Sequence, residues 1–328
     1  MAPTTIARRS LLALSAAALA TSLATGQAHA QSPAPLRVIL PLSAGSGVDV
    51  IIRSAQAALS KALDGQPVTI ENLPGAGGIT GTQALVKAAP DGNTIAVISN
   101  NHAVNPSVFK KLPYDSIADI TPITVIGGSP FVFVVNPKVP ATNAKELQAL
   151  LKSKPGALNF ASSGNGTIIH LAGEMFVEEV GANARHIPYK GMGPMITDIM
   201  SGQVEMGASA VVAVQGQLKS GSLRPIGVMG KERLSSLPNV PTIAEQGFPG
   251  VDIAGWFAAI GPKGMTAAQI KRLHDAFVAA FNDPEVKAGF AKRDDLLILN
   301  TPEETAQFLR SERDRYAKLV KKANVTLE

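Results

Sequence analysis

Short apolar runs alternate with longer stretches of helical periodicity along most of this chain, and glycine-rich segments join one to the other. Residues 37–40 (RVIL) read as a buried strand, followed by PLSAGSG and a helix from about 48 to 63. Residues 68–71 (VTIE) give a second strand, then NLPGAGGITG and a helix to about 88. After the turn Pro90-Asp91-Gly92, residues 94–98 form a third strand, followed by SNNHAVNP. Short apolar strands alternating with helices predict a parallel sheet covered by helices on both faces.

Near Pro122 the rhythm changes. Residues 131–135 (FVFVV) are a strong strand closed by Asn136-Pro137, and residues 142–154 read as a helix with Thr142 as its cap and Glu146 near its first turn. The strand–loop–helix pattern then restarts. LNFASSGNGTIIHLAGEMFVEEVG, RHIPYKGMGPMITDIMSG, VEMGASAVVAVQGQLKSG and LRPIGVMG make a second α/β set. VDIAGWFAAIGPKG is a further long strand candidate. The charged helical segments 266–282 and 302–323 lack a core of their own and are expected to return over the first sheet. The pattern predicts a discontinuous first lobe (31–130 and 254–328) and a continuous second lobe (131–253). Extended crossings near Phe131 and Ile253 would make a hinge with a cleft.

Composition narrows the class. Of 328 residues, 45% are hydrophobic and 17% charged, which suits one large or two ordinary folded domains. The net charge of +5 is mild and the basic residues are scattered, with only three Tyr and one Trp, so no nucleic-acid platform is expected. A mild positive charge favours an anionic small ligand. Residues 1–9 carry two arginines and no acid, residues 11–23 are apolar, and Ala28-His29-Ala30 precedes Gln31. This reads as an export signal, residues 1–30, cleaved after Ala30. Its apolar run is too short to span a bilayer. The pair Arg8-Arg9 also suits a twin-arginine route. There is no cysteine, hence no disulfide, thiolate metal site or lipid anchor. The expectation is a periplasmic protein that does not span the membrane.

Three glycine-rich loops follow strands, and in open α/β sheets ligands bind at the carboxyl ends of strands. The candidate binding residues are Ser43, Ala44, Gly45 and Ser46 in the first loop and Gly75, Ala76, Gly77 and Gly78 in the second. In the third they are Ser162, Ser163, Gly164, Asn165, Gly166 and Thr167. Such loops bring backbone N–H groups and a helix terminus to an anion. A phosphate, a carboxylate or a tetrahedral intermediate would each fit that description. No GxxxxGK is present, and the third glycine of GAGGITG falls one place late for a dinucleotide fingerprint. A serine hydrolase using Ser162 or Ser163 is the alternative, although Phe160 and Ala161 stand where a nucleophile elbow wants glycine. His170 lies a turn inside the following helix and reads as half-buried. His102, His170, His186 and His274 show no metal spacing, so neither metal nor cofactor is expected.

Other positions carry structural readings beside functional ones. Asp49 either caps the first helix or holds its loop by accepting N–H groups. Glu174, Glu178 and Glu179 read as a solvated helix face. Lys190 meets a ligand carboxylate or faces solvent, and Trp256 packs near the hinge. With no activated nucleophile and no metal set, the loops look built to hold rather than react. A carboxylate suits short oxygen donors and backbone amides.

Five segments in this order carry a family resemblance: ENLPGAGGITGTQALVKAAPDGNTI, YDSIADITPIT, NFASSGNGTIIHLAGEMF, HIPYKGMGPMITDIMSGQVEM, and LPNVPTIAEQGFPG leading to GWFAAIGPKG. Over the whole mature chain the sequence resembles the substrate-binding proteins of tripartite tricarboxylate transporters, the Bug-type receptors. The resemblance implies a type II periplasmic binding fold of two α/β lobes joined by two crossing strands. It further implies a non-enzymatic receptor, here taken as a monomer, that grips a small organic acid (a di- or tricarboxylate or a relative) and delivers it to membrane transporter subunits. The family's first loop reads PFxxGGxxD. Here Pro41, Gly45 and Asp49 match, while Leu42 replaces the aromatic and Ser46 the second glycine.

Overall fold

The structure, a computed structural model, describes residues 34–322. The expected export signal and its cleavage site lie outside those residues. No helix among the described residues is long and apolar enough to cross a membrane.

Three short strands open the fold: β1 (Leu36–Leu40), β2 (Val68–Asn72) and β3 (Thr94–Ser99). They are parallel, with β1 between the other two. The nearly continuous apolar runs of β1 and β3 suit strands covered on both faces, whereas β2, at the sheet edge, is partly exposed. β1 leads into α1 (Gly47–Ala62), β2 into a 3₁₀ turn (Ala76–Gly78) and α2 (Ile79–Val86), and β3 into α3 (Asn101–Val108). The same alternation recurs later. β5 (Asn159–Ser162), β6 (Arg185–Pro188) and β7 (Met206–Ala210) are parallel, and they lead into α5 (Ile168–Glu179), α6 (Met192–Ser201) and α7 (Val211–Ser220).

One strand belongs to both sheets. β4 (Ile120–Val135) follows α3 and precedes α4 (Ala144–Ser153). From Ile120 to Pro130 it pairs antiparallel with β9 (Ala254–Pro262). From Phe131 to Val135 it lies between β7 and β8 (Arg224–Val228), antiparallel to both. The first sheet therefore runs β2-β1-β3-β9-β4 and the second β6-β5-β7-β4-β8. Each has three parallel strands and an antiparallel crossing strand in its fourth place, and together they form the two α/β lobes. The return crossing is held where Met229 N donates to the Phe131 carbonyl and Ile253 N to that of Met229.

The strand expected at 131–135 is thus only the distal part of a much longer one. Pro122, Gly127, Gly128 and Pro130 break the alternation of its first part, and its register against β9 shifts beside Pro122 and Val125. The cap of α4 also differs from expectation. Asn143 is the N-cap and accepts from Glu146 N, while Thr142 donates its N–H and hydroxyl to the Glu146 carboxylate.

The C-terminal elements are α8 (Ala267–Phe281), α9 (Pro284–Ala291), β10 (Leu296–Leu297) and α10 (Pro302–Lys322). β10 pairs with β4, and Asn300 and Thr305 accept hydrogen bonds from Val125 N. α10 buries Tyr316 fully, and the Tyr316 hydroxyl lies 2.5 Å from Asn100 Nδ2. The polar face of this helix is outward; its apolar stripe closes the first sheet.

Candidate functional site

The parallel strands of both sheets end around one cavity of about 620 Å³. At its wall stand the N-caps of five helices and of the 3₁₀ turn: Ser46 (α1), Gly75 (the turn), Asn100 (α3), Thr167 (α5), Gly191 (α6) and Ala210 (α7). A helix N-terminus presents unpaired N–H groups and the positive end of its dipole. The backbone N–H groups of Gly47, Val48 and Ile169, all at the wall, have no acceptor among the described residues.

The first loop is shaped by Asp49. Ser46 is the N-cap of α1, its Oγ accepting from Asp49 N at 3.3 Å. The Asp49 carboxylate reaches back to Gly45 N at 3.0 Å and also accepts from Asn72 Nδ2 and Arg53 Nε. Of the two structural roles considered for Asp49, it plays the second: it holds the loop, and Ser46 is the cap.

The second loop depends on backbone few side chains allow. Gly75, Ala76, Gly77 and Gly78 have φ of 129°, 45°, 64° and 94°. Ala76 bears a left-handed conformation that costs roughly 1–2 kcal/mol, a strain that persists where the surroundings over-determine it. Asn105 Nδ2 secures the loop by donating to the Gly77 carbonyl at 3.1 Å.

The third loop is held by a layered set of side chains. Thr167 caps α5 by accepting from His170 N, and donates its own hydroxyl to the Gly164 carbonyl at 2.8 Å. Ser163 Oγ donates to Thr167 Oγ1. His170 Nδ1 accepts from Gly166 N at 3.0 Å, which places its proton on Nε2, 3.2 Å from Glu174 Oε1. The His170 and His186 rings stack with centroids 3.7 Å apart. His186 is pushed down to about 3, first by burial and then by the neighbouring His170. Glu174 therefore faces a histidine, and Glu179 accepts from Gly250 N. These two have partners within the protein rather than forming the expected solvated face.

The two lobes meet directly across the cavity. Ser43 Oγ accepts from Met192 N at 3.2 Å, and Asn101 Oδ1 from Ile168 N at 2.7 Å. Gly191 has φ of 117°, and a Cβ there would come within 2.5 Å of Ser43 Oγ, so this approach requires glycine.

Of the residues singled out in the sequence, Ser43, Ser46, the GAGG loop, Ser163, Gly164, Asn165 and Thr167 lie at the wall. Ala44 and Gly45 are exposed outside it, and Ser162 and Gly166 are buried away from it. Lys190 is exposed and contributes to the wall, as does Trp256 from β9. Sequence reasoning missed Asn100, Asn101, Phe109 and Met192. For the two asparagines a signal existed: they stand at the carboxyl end of the third parallel strand.

Ser162 Oγ lies 2.6 Å from His186 Nε2, a serine–histidine pair the sequence did not suggest. It is poorly made for attack. Ser162 is wholly buried, its hydroxyl is bonded to Gly164 on both sides, and its histidine is a weakened base. Among the described residues no group of His, Asp and Glu could hold a metal ion.

Two lobes joined by crossing strands, with unpaired backbone donors from both around a shared cavity, define a solute-binding protein. The model described as "Tripartite tricarboxylate transporter family receptor" matches residues 51–325, and the chain belongs to that family. Protein BugT of Bordetella pertussis is 34% identical over 296 residues, 90% of each chain. The structure of the periplasmic binding protein BugD is similar with a TM-score of 0.86 at 29% identity, covering 90% of this chain and 99% of that one. An R. palustris protein solved with adipate has a TM-score of 0.86 at 27% identity, covering 89% and 98%. The family is one of receptors and not enzymes, which removes the hydrolase alternative.

Proposed function

We propose that this receptor captures a small organic carboxylate between its lobes in the periplasm and delivers it to membrane transporter subunits. The observation that carries the reading is the set of backbone N–H groups at Gly47, Val48 and Ile169. They come from both lobes, lack acceptors among the described residues, and surround one cavity. A carboxylate offers several lone pairs to such donors, and helix N-termini favour its charge. The relative solved with adipate supports an acid as the solute. In this reading residues 1–30 are the export signal, cleaved after Ala30. One lobe comprises 31–130 and 254–328 and the other 131–253, and the receptor works as a monomer.

Ligand contacts with both lobes bias the equilibrium toward the closed form. Thermal unfolding of the mature protein against carboxylates and their matched primary amides tests this. A carboxylate at a hundred times its dissociation constant adds roughly 2.7 kcal/mol, seen as a higher melting temperature, and Gly77→Asp abolishes the rise. Equal rises with the amides, or none with any acid, overturn the reading. Delivery is tested separately: deleting the receptor lowers uptake of the labelled acid by intact cells.

A further inference from the structure

The cavity wall limits what the body of the solute can be. Among the described residues that line it, Lys190 is the one charged side chain; it is exposed and forms no ion pair with a described residue. The wall includes no aspartate, glutamate, arginine or histidine. Tyr189 is pushed up to about 12, first by burial and then by Asp198, so its phenol stays neutral.

Most short polar groups at the wall already serve as acceptors within the protein. Ser43 holds Met192 N, Ser46 holds Asp49 N, and Thr167 is bonded to His170 N and the Gly164 carbonyl. Asn100 holds Trp256 N and the Ala254 carbonyl, and Asn101 holds Ile168 N. The indole N–H of Trp256 donates to Glu312 at 2.7 Å, leaving carbon to line the cavity. The remaining wall is strongly apolar, with Leu42, Phe109, Phe131, Ile169, Met192 and Trp256. A volume of about 620 Å³ falls within the range of pockets for drug-sized ligands, roughly 300–1,000 Å³.

We infer that the solute is a carboxylate with a bulky, uncharged, apolar body of aryl or alicyclic kind, and that the site rejects acids bearing an ammonium group or several hydroxyls. This rests on the carboxylate reading above. An ammonium group here leaves water for a wall without a carboxylate and faces the positive ends of helices. Hydroxyls of a sugar acid or small hydroxy acid would lose water while most side-chain acceptors at the wall are engaged. An apolar ring replaces water against Phe109 and Trp256 at no such cost.

Calorimetry on the mature full chain tests this with 3-phenylpropanoate, cyclohexanecarboxylate, 3-phenylpropanamide, phenylalanine and malate. The expected result is that 3-phenylpropanoate binds about a hundredfold more tightly than phenylalanine and at least about tenfold more tightly than malate. Phe109→Ser lowers its affinity about tenfold. If malate or phenylalanine binds as tightly as 3-phenylpropanoate, the inference falls while the carboxylate reading stands. Unchanged affinity in Phe109→Ser overturns the packing on that ring. If the amide binds as tightly as its acid, or no acid binds, both fall together.

Discussion

The loops that open α1 and α5 share a backbone device made from different chemistry. In each, a hydroxyl at the N-cap accepts from the third helical N–H, and the side chain at that third position reaches back to the N–H just before the cap. In the first lobe these are Ser46, Asp49 and Gly45. In the second they are Thr167, His170 and Gly166. The acceptor is an anion held by Arg53 and Asn72 in one case, and an imidazole stacked on a second imidazole in the other. The geometry asks only for an acceptor four residues after the donor. The choice of acceptor sets how much each loop costs to break.

The largest effect is expected from Asp49→Ala, which removes the acceptor for three donors at once. Hydrogen bonds to charged groups contribute about 1.5–3 kcal/mol each and are not additive, so a loss of about 3 kcal/mol is expected in urea denaturation. A loss no greater than that of His170→Ala would remove the contrast between the lobes.

Acid probes buried imidazoles in both lobes. His102 in the first is pushed down to about 4 by burial, opposed by its bond to the Ser116 carbonyl, and His186 in the second to about 3. The folded form therefore binds protons less readily than the unfolded chain. Stability is full above about pH 6.5 and falls as pH drops toward the folded values. His102 alone accounts for about 2 kcal/mol between pH 7 and 5, and His102→Gln should make that limb shallower, leaving the part that belongs to His186. A flat wild-type profile would contradict a neutral buried His102.

Next comes His170→Ala, with a loss of about 1.5 kcal/mol and weaker ligand binding. His170→Asn, which can offer a carbonyl acceptor, should recover part of the affinity. No recovery would mean the ring stack matters more than the bond to Gly166. The smallest effects belong to the contacts between lobes. Asn101→Ala leaves Ile168 N unpaired and should cost about 1 kcal/mol, and Ser43→Ala somewhat less. A larger effect on ligand affinity than on stability would show that these contacts favour closure.

The alternating strands and helices were legible because parallel strands buried on both faces read as short apolar runs. The segment after β3 was not. SNNHAVNP carries three asparagines and a proline, all poor in helices, yet α3 forms there. Its asparagines act at long range: Asn100 bonds β9, Asn101 bonds α5 and Asn105 bonds the GAGG loop. Tertiary partners override local preference. The three glycine loops were found by composition. The apolar wall was not, because Phe109, Phe131, Met192 and Trp256 come from separate elements that only the folded chain brings together. Ser162 and Gly166 share a loop with wall residues but are turned into the protein, a distinction that needs coordinates.

β9 lies between β3 and β4, although some hundred and fifty residues separate it from β3 in the chain. As the polypeptide is synthesised from its N-terminus, the first sheet can neither fill its centre nor close until residues 254–262 have emerged. β3 and β4 wait with open edges while nearly the whole chain is made. Such long-range pairing slows folding and leaves unpaired strands open to other chains. Folding of the first lobe is therefore tied to completion of the chain, and a polypeptide ending before residue 254 should show aggregation where the complete one refolds.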